Sequence, residues 1–599
     1  MGRTIDAAAA APGRGRLAAW LPVTMLVAVG MLGRMARLAR RSPPHVGAPP
    51  RGAAMLGAVG GPVVVVPAVT AAPSAPVARE PGPATDGAPP APVARTRVPA
   101  GIVLAAIVAA GLGVRLWHLN TLGYNSDEAV YGGQGASLAQ DPTLSPYFPT
   151  FRAHPLMFQM LLSYGYHLGI GEIFGRLAAV ALGVLTILVV ARVGSVLYDR
   201  RTALLAALII ALMPYHVIVT RQVLLDGPMV LFATITLLSV ARFAATQRAA
   251  WLLAAGAALG LTALTKESSL VLAGAIYGFL ALSPEIKVRP RVLAGSAGIV
   301  LAIFALYPLS LRLAGATQTG GNYLAWQLLR RPNHDWGFYP STVPQAMGWL
   351  VVAIAALGLV ALRHRITWRE KLLVCWVLVP VGFFQLWPVK GFQYLLPTAP
   401  AVALLAAYAV MHAQHARLPG RLGRRLAPAL RHGLFAPIAV GAIAASLLVT
   451  TWGRIDPGPS ATFLAGSGGV PGGRETGKWI DAHTPLNARI LTIGPSMANI
   501  IAYYGHRSAS GISVSPNPLN RNPSYKAVRN PDLLLRRHEV QYVVWDAFSA
   551  GRSAYFSRRL LRYVDRYHGR VVSAATTSVR TADGRTVAKP IITVYEVRP

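Results

Sequence analysis

Two adjacent acids, Asp127 and Glu128, stand in the stretch YNSDEAVY from Tyr124 to Tyr131, just after a long apolar run. A carboxylate in such a loop can accept a proton from an attacking hydroxyl. At the edges of later apolar runs come Arg176, Arg221, Asp226, Lys266, Lys390 and Tyr394. Lysine or arginine so placed can hold the phosphate of a lipid whose tail stays in the bilayer. A base and an anion holder together suit transfer of a group from a lipid phosphate to a hydroxyl, with the lipid phosphate as leaving group. No Walker or dinucleotide glycine motif points to a nucleotide donor.

Several of these residues also have a plainer explanation, Asp127 and Glu128 among them as a solvated loop pair. Asp226 equally suits the amino end of the span that follows, where an acid is favourable by about 0.3 to 1 kcal/mol. Lys266 and Arg221 equally suit the anchoring of a helix end among lipid headgroups. Tyr394 has the position of an interfacial aromatic. His334 and Asp335, one histidine and one acid in a loop, make a poor metal site. The single cysteine, Cys375, lies in an apolar run, which excludes an intrachain disulfide and a cysteine metal cluster. The sequence requires no cofactor and leaves a divalent metal open.

The elements that must position these groups are membrane helices. Of 599 residues 53% are hydrophobic and 13% charged, and many runs reach the roughly 20 residues that cross about 30 Å of hydrocarbon. Candidate spans fall near 99–117, 176–197, 202–220, 227–245, 249–265, 268–284, 292–312, 343–362, 371–388, 391–411 and 434–452, eleven in all. The apolar segment 155–170 is too short and too polar for a span and reads as a helix lying at the interface. With that choice, five loops on one side hold sixteen Lys or Arg against three acids, and the connections on the other side hold seven of each. The asymmetry puts the amino end inside and the acids outside. It also accounts for much of the +35 net charge without nucleic acid. A transporter would more often carry midplane charges and repeated halves, and the chain shows neither.

The flanks differ in character. Residues 1–98 are rich in Ala, Pro, Gly and Arg, with weak apolar runs at 17–32 and 53–72 that add either no spans or a pair, and 73–98 is a low-complexity linker. After 453 a Gly and Ser linker leads to a soluble pattern: a helix near 475–482, the strand ARILTIG, helices SMANIIAYYG and PDLLLRRHEV, the strand QYVVWD, an amphipathic helix near 554–567 and two strands joined at Asp583-Gly584. This predicts a small α/β domain. From 454 onward it carries twenty Lys or Arg against nine acids, which suits anionic lipid, an acidic polymer or simply water.

SDEAVY, FRAHPLMFQ, the long run from Arg176 to Ala233, GLTALTKESSL and KGFQYLLPTAP, in this order over about 99–412, resemble the lipid-carrier-dependent glycosyltransferases of the GT-C superfamily (family 39). The pattern is similar to that of protein O-mannosyltransferases and lipid A aminoarabinose transferases. The resemblance implies an inverting transferase. It makes Asp127 the base, Glu128 a supporting or sugar-contacting acid and Asp226 the acid of the second outer loop. Arg176, Arg221, Lys266, Lys390 and Tyr394 become the donor-phosphate set. Two departures stand out: His154-Pro155-Leu156 replaces the usual His-Pro-Pro or Lys-Pro-Pro, and a loop of only thirty residues, 313–342, leaves no room for a lectin-like insertion.

The expected architecture is a polytopic α-helical membrane protein of GT-C type with eleven spans, or thirteen with the two early runs. Its parts are an N-terminal region (1–98), a transmembrane glycosyltransferase domain (99–453), a flexible linker (454–473) and an extracytoplasmic α/β domain (474–599). The expected setting is the plasma membrane, and the expected partners are a polyprenyl-phosphate-linked sugar, a hydroxyl-bearing glycan, lipid or protein, and the bilayer. The competing expectation is a non-catalytic binding component or a transporter of envelope glycans or lipids.

Overall fold

The structure, a computed structural model, describes residues 99–316, 323, 326–327, 332–417, 428–430, 432–456, 469–518, 521–580, 583 and 585–598. The early runs 17–32 and 53–72, the linker 73–98, most of the Gly and Ser linker, Asn322, Arg330, Arg331 and Gly584 lie outside the described residues.

The first half of the chain folds as α1 (Ala100–Leu116), α2 (Ser126–Leu138), α3 (Met157–His167), α4 (Gly171–Leu197), α5 (Arg200–Leu212), α6 (Pro214–Val219), α7 (Asp226–Thr246), α8 (Ala249–Thr265), α9 (Val271–Leu282), α10 (Pro290–Phe304) and α11 (Leu306–Leu313). Then come α12 (Phe338–Met347), α13 (Trp349–Ala361), α14 (Trp368–Leu386), a 3₁₀ turn at Phe392–Thr398, α15 (Ala399–Met411) and α16 (Phe435–Ile455). Apolar runs become helices because a helix satisfies its own backbone where no water can. Among the described residues five helices are long and apolar enough to cross a membrane: Gly171–Leu197, Asp226–Thr246, Pro290–Leu313, Phe392–Met411 and Phe435–Ile455. The bent pair α12 and α13 makes a sixth if it is one span. α3, at eleven residues, reaches only about 16 Å at 1.5 Å per residue.

Two runs expected to be continuous are broken. The segment 343–362 turns by 99° at Gly348, whose φ of 89° suits glycine and whose missing Cβ would lie 2.7 Å from Leu447 Cδ2. The segment 202–220 breaks at Pro214, which has no N–H to offer the carbonyl of Ile210. Side chains cover the carbonyls this frees. Arg115 donates to Ala211 O (2.9 Å) and Ile210 O (3.4 Å), and Thr451 Oγ1 donates to Leu212 O (2.6 Å). Arg115 also reaches Thr220 Oγ1 and His216 Nδ1. It is fully buried, so the structure gives this arginine to the helix break.

The C-terminal residues form α17 (Gly473–His483), β1 (Arg489–Thr492), α18 (Pro495–Tyr504), β2 (Ser508–Gly511), α19 (Pro531–Arg536), β3 (Tyr542–Asp546), α20 (Ala547–Arg552), α21 (Ala554–Arg566), β4 (Arg570–Arg580) and β5 (Thr586–Glu596). The sheet order is β2-β1-β3-β5-β4, with β1 parallel to both neighbours and β5 antiparallel to β3 and β4. This domain shares a core with the helical body: Tyr124, Ala129, Phe148 and Leu162 pack with Ile500, Ile501, Tyr503 and Tyr504 in one apolar cluster. Around that cluster Tyr504 Oη accepts from Tyr124 N (2.6 Å), Tyr166 and Tyr503 share a hydroxyl hydrogen bond (2.7 Å), and Arg474 pairs with Glu172.

Candidate active site

The site is organised by the first turn of α2. The Asn125 side chain accepts from the backbone N–H of Asp127 (2.9 Å) and Glu128 (3.0 Å), while the Glu128 carboxylate accepts from Asn125 N (3.0 Å). This reciprocal cap starts the helix. Consecutive helical residues lie about 100° apart around the axis. Asp127 and Glu128 therefore face different surroundings.

Glu128 is fully buried. It accepts from Arg176 Nε (3.2 Å) and Nη2 (3.1 Å), and its Oε1 also accepts from Val223 N (3.1 Å). The remaining Arg176 N–H groups reach the carbonyls of Leu119, Leu122 and Gly123 and the side chain of Asn120. Arg176 has five donors, and each has an acceptor within the protein. Arg176 thus directs its donors to acceptors within the protein, and Glu128 is buried against it. The pair fastens α2 to α4 and to the loop before α7. Arg221 lies on the same side, donating to Trp117 O, and the structure does not bring it to Asp127.

Asp127 is exposed at its own surface, yet protein encloses it. Enclosure raises its carboxyl above the ordinary value, while Lys266, then His154 and Arg152, pull it down and Asp226 pushes it up. Water-accessible and walled by protein, the carboxylate lines a recess. Lys266, the residue after α8, donates to both oxygens of Asp226 at the head of α7 (2.8 and 3.1 Å), and its ammonium lies 4.7 Å from the ring centre of Tyr394. Asp127, Asp226, Lys266 and Tyr394 are thus brought together from four separate stretches of the chain. Lys390 is buried on the loop just before Tyr394. Asn333 holds its backbone at both N and O, and its ammonium stands 5.3 Å from the Trp336 ring centre.

The sequence assigns no site role to the second ring of this recess, although His154 stands in one of its motifs. His154 Nδ1 lies 3.0 Å from both oxygens of Glu267, and His154 Nε2 is 3.3 Å from Tyr323 Oη. Glu267 directly follows Lys266, and that adjacency was the available signal. Tyr131 closes one side, and enclosure raises its phenol well above the ordinary value, with Asp127 adding to the effect. His334 stacks on Phe338 at 3.9 Å. Among the described residues no group of three His, Cys, Asp or Glu is placed to hold a metal ion.

The family described as dolichyl-phosphate-mannose-protein mannosyltransferase matches residues 153–308. Undecaprenyl phosphate-alpha-4-amino-4-deoxy-L-arabinose arabinosyl transferase 1 from Sodalis glossinidius is 29% identical over 257 residues, covering 39% of this chain and 40% of the relative. The corresponding transferase of Pectobacterium carotovorum is 29% identical over 238 residues, covering 35% and 40%. The chain therefore spans about 40% of the length of these curated relatives. ArnT from Cupriavidus metallidurans, solved in the apo state and bound to undecaprenyl phosphate, has a similar fold in both forms, with a TM-score of 0.59, 15% identity and coverage of 83% of this chain and 98% of that one. The Archaeoglobus fulgidus oligosaccharyltransferase has a TM-score of 0.50 at 15% identity, over 81% and 72%. The chain is thus similar in sequence to these lipid-carrier-dependent transferases over part of its length, and in fold to solved GT-C structures over most of it.

Proposed function

We propose that this protein is a membrane glycosyltransferase that moves a sugar from a polyprenyl-phosphate donor to an acceptor hydroxyl at the outer face of the plasma membrane. Asp127 takes the proton of the acceptor hydroxyl, whose oxygen attacks the anomeric carbon with inversion. The bond from that carbon to the phosphate oxygen breaks, and the phosphate leaves with the electron pair. Lys266, Tyr394 and Lys390 receive the phosphate, and Asp226 sets the position of the Lys266 ammonium. The observation that carries this reading is the exposed Asp127 carboxylate in a recess it shares with the Lys266–Asp226 pair.

In the same proposal the chain crosses the bilayer eleven times from residue 99, or thirteen times with the early runs, with a cytoplasmic amino end and an outward C-terminal domain. The loop-charge asymmetry supports it. Mass spectrometry of envelope glycans, lipids and glycoproteins from cells with and without the protein tests the activity. A sugar missing from one acceptor class is the expected result, and identical profiles would contradict it.

A further inference from the structure

Two basic side chains that act on Asp127 each face an acid: Lys266 faces Asp226, and His154 faces Glu267. Arg152, in the segment between α2 and α3, is different. It is 8% exposed, its charge acts on Asp127, and among the described residues no carboxylate pairs with it. A buried guanidinium is costly unless its charge is answered; its direct contacts here are neutral, and the acid its charge acts on is Asp127 itself. Nη2 donates to Asn499 Oδ1 (3.3 Å), and the guanidinium lies 4.9 Å from the ring centre of Tyr525. The carbonyl of Arg152 accepts from Ser524 Oγ (2.9 Å).

Asn499, Ser524 and Tyr525 all belong to the C-terminal domain. Asn499 Nδ2 also donates to Ser126 Oγ (2.9 Å), the residue directly before Asp127, so one asparagine sets Arg152 against the start of the helix that carries the base. The stretch 521–529 adds Arg521, Lys526 and Arg529 and holds no acid. Lys266 and Tyr394, by contrast, stand at the ends of apolar helices, where a lipid carrier would bring its phosphate. Arg152 thus answers to a substrate approaching from the side of the domain.

We propose that Arg152 binds an anionic group, a phosphate or carboxylate, on the acceptor, and that Asn499 and Tyr525 orient it for that contact. This rests on the glycosyl-transfer reading above and names the class of its acceptor.

The test uses the full chain in lipid nanodiscs, with calorimetric titration of two probes, phenyl phosphate and undecaprenyl phosphate. Wild type binds both. Arg152→Gln keeps undecaprenyl phosphate affinity within about twofold and loses phenyl phosphate affinity by about tenfold or more, the weight of a charge-assisted hydrogen bond. Arg152→Lys falls between, and Asn499→Ala, which leaves the charge but not its orientation, weakens phenyl phosphate binding alone. Because Arg152→Lys and Asn499→Ala keep the cation, they carry the test if Arg152→Gln fails to fold. Unchanged phenyl phosphate binding in Arg152→Gln, or none in wild type, overturns the proposal. So does a tenfold loss of undecaprenyl phosphate affinity, which would move Arg152 to the donor side. Wild type that binds phenyl phosphate through Arg152 but not undecaprenyl phosphate would instead overturn the glycosyl-transfer reading, and the acceptor assignment with it.

Discussion

The two faces of α2 use the same chemistry for different ends. On one face Glu128 and Arg176 form a buried ion pair in which every guanidinium N–H has an acceptor inside the protein. On the other face Asp127, one residue away, has no ion-pair partner among the described residues and looks into a recess, with Lys266 and Asp226 paired beside it. A closed network holds a structure in place. An acid open to water among charges that shift its proton affinity is available for chemistry. The contrast teaches that adjacent acids in a motif need not share a role.

The closed face breaks first and hardest. Glu128→Gln leaves Arg176 charged and buried without its counter-ion, which costs about 3–5 kcal/mol of stability. Thermal unfolding in detergent should show a large loss, and a melting temperature equal to wild type would contradict the structural assignment. On the open face, Lys266→Met removes a cation from the proposed phosphate site, and transfer should fall on the order of 10²–10³-fold, as when one transition-state donor is lost. Because Asp226 is then left unpaired, the double variant Lys266→Met/Asp226→Asn sharpens the comparison. It should recover the melting temperature but not transfer. Recovery of transfer would make the pair structural, like the one across the helix.

A smaller effect concerns pH. The base role proposed for Asp127 requires the ionised carboxylate, and enclosure raises its carboxyl. Transfer should therefore fall with decreasing pH at values above the ordinary carboxylate range near 3.9. The stability sign is opposite. A raised carboxyl contributes stability that is full below its unfolded pKa and lost as pH rises through the folded one, so at neutral pH the ionised Asp127 costs stability. Asp127→Asn should then melt at or above the wild-type temperature at neutral pH and show no such gain in acid. A lower melting temperature at neutral pH would place Asp127 with Glu128 as a structural acid.

Much of this was legible in the sequence because membrane helices advertise themselves by apolar length, and α3 by being too short and too polar to cross. The order of motifs from SDEAVY to KGFQYLLPTAP likewise carries the resemblance to the GT-C transferases. The breaks at Pro214 and Gly348 were less visible, since hydropathy averages over a turn of backbone that local sterics decide. Strand β2, SASG, has none of the branched or aromatic residues that mark a strand, so only its pairing with β1 reveals it. Sequence named Asp127, Asp226, Lys266 and Tyr394, which the fold brings together, but no spacing tells that Arg176 would pair with Glu128 or that Asn499, 373 residues from Ser126, would reach α2. Those are tertiary facts, set by how α2 rotates its two acids and by where the C-terminal domain sits.

The most direct test compares Asp127→Asn with wild type in nanodiscs, measuring sugar transfer from a polyprenyl-phosphate donor together with thermal unfolding. Loss of a general base should lower transfer by roughly 10²–10⁴-fold, with the melting temperature unchanged or higher at neutral pH. Transfer at the wild-type rate by a fully folded Asp127→Asn protein would contradict the assignment of the base and, with it, the division of labour between the two faces of α2.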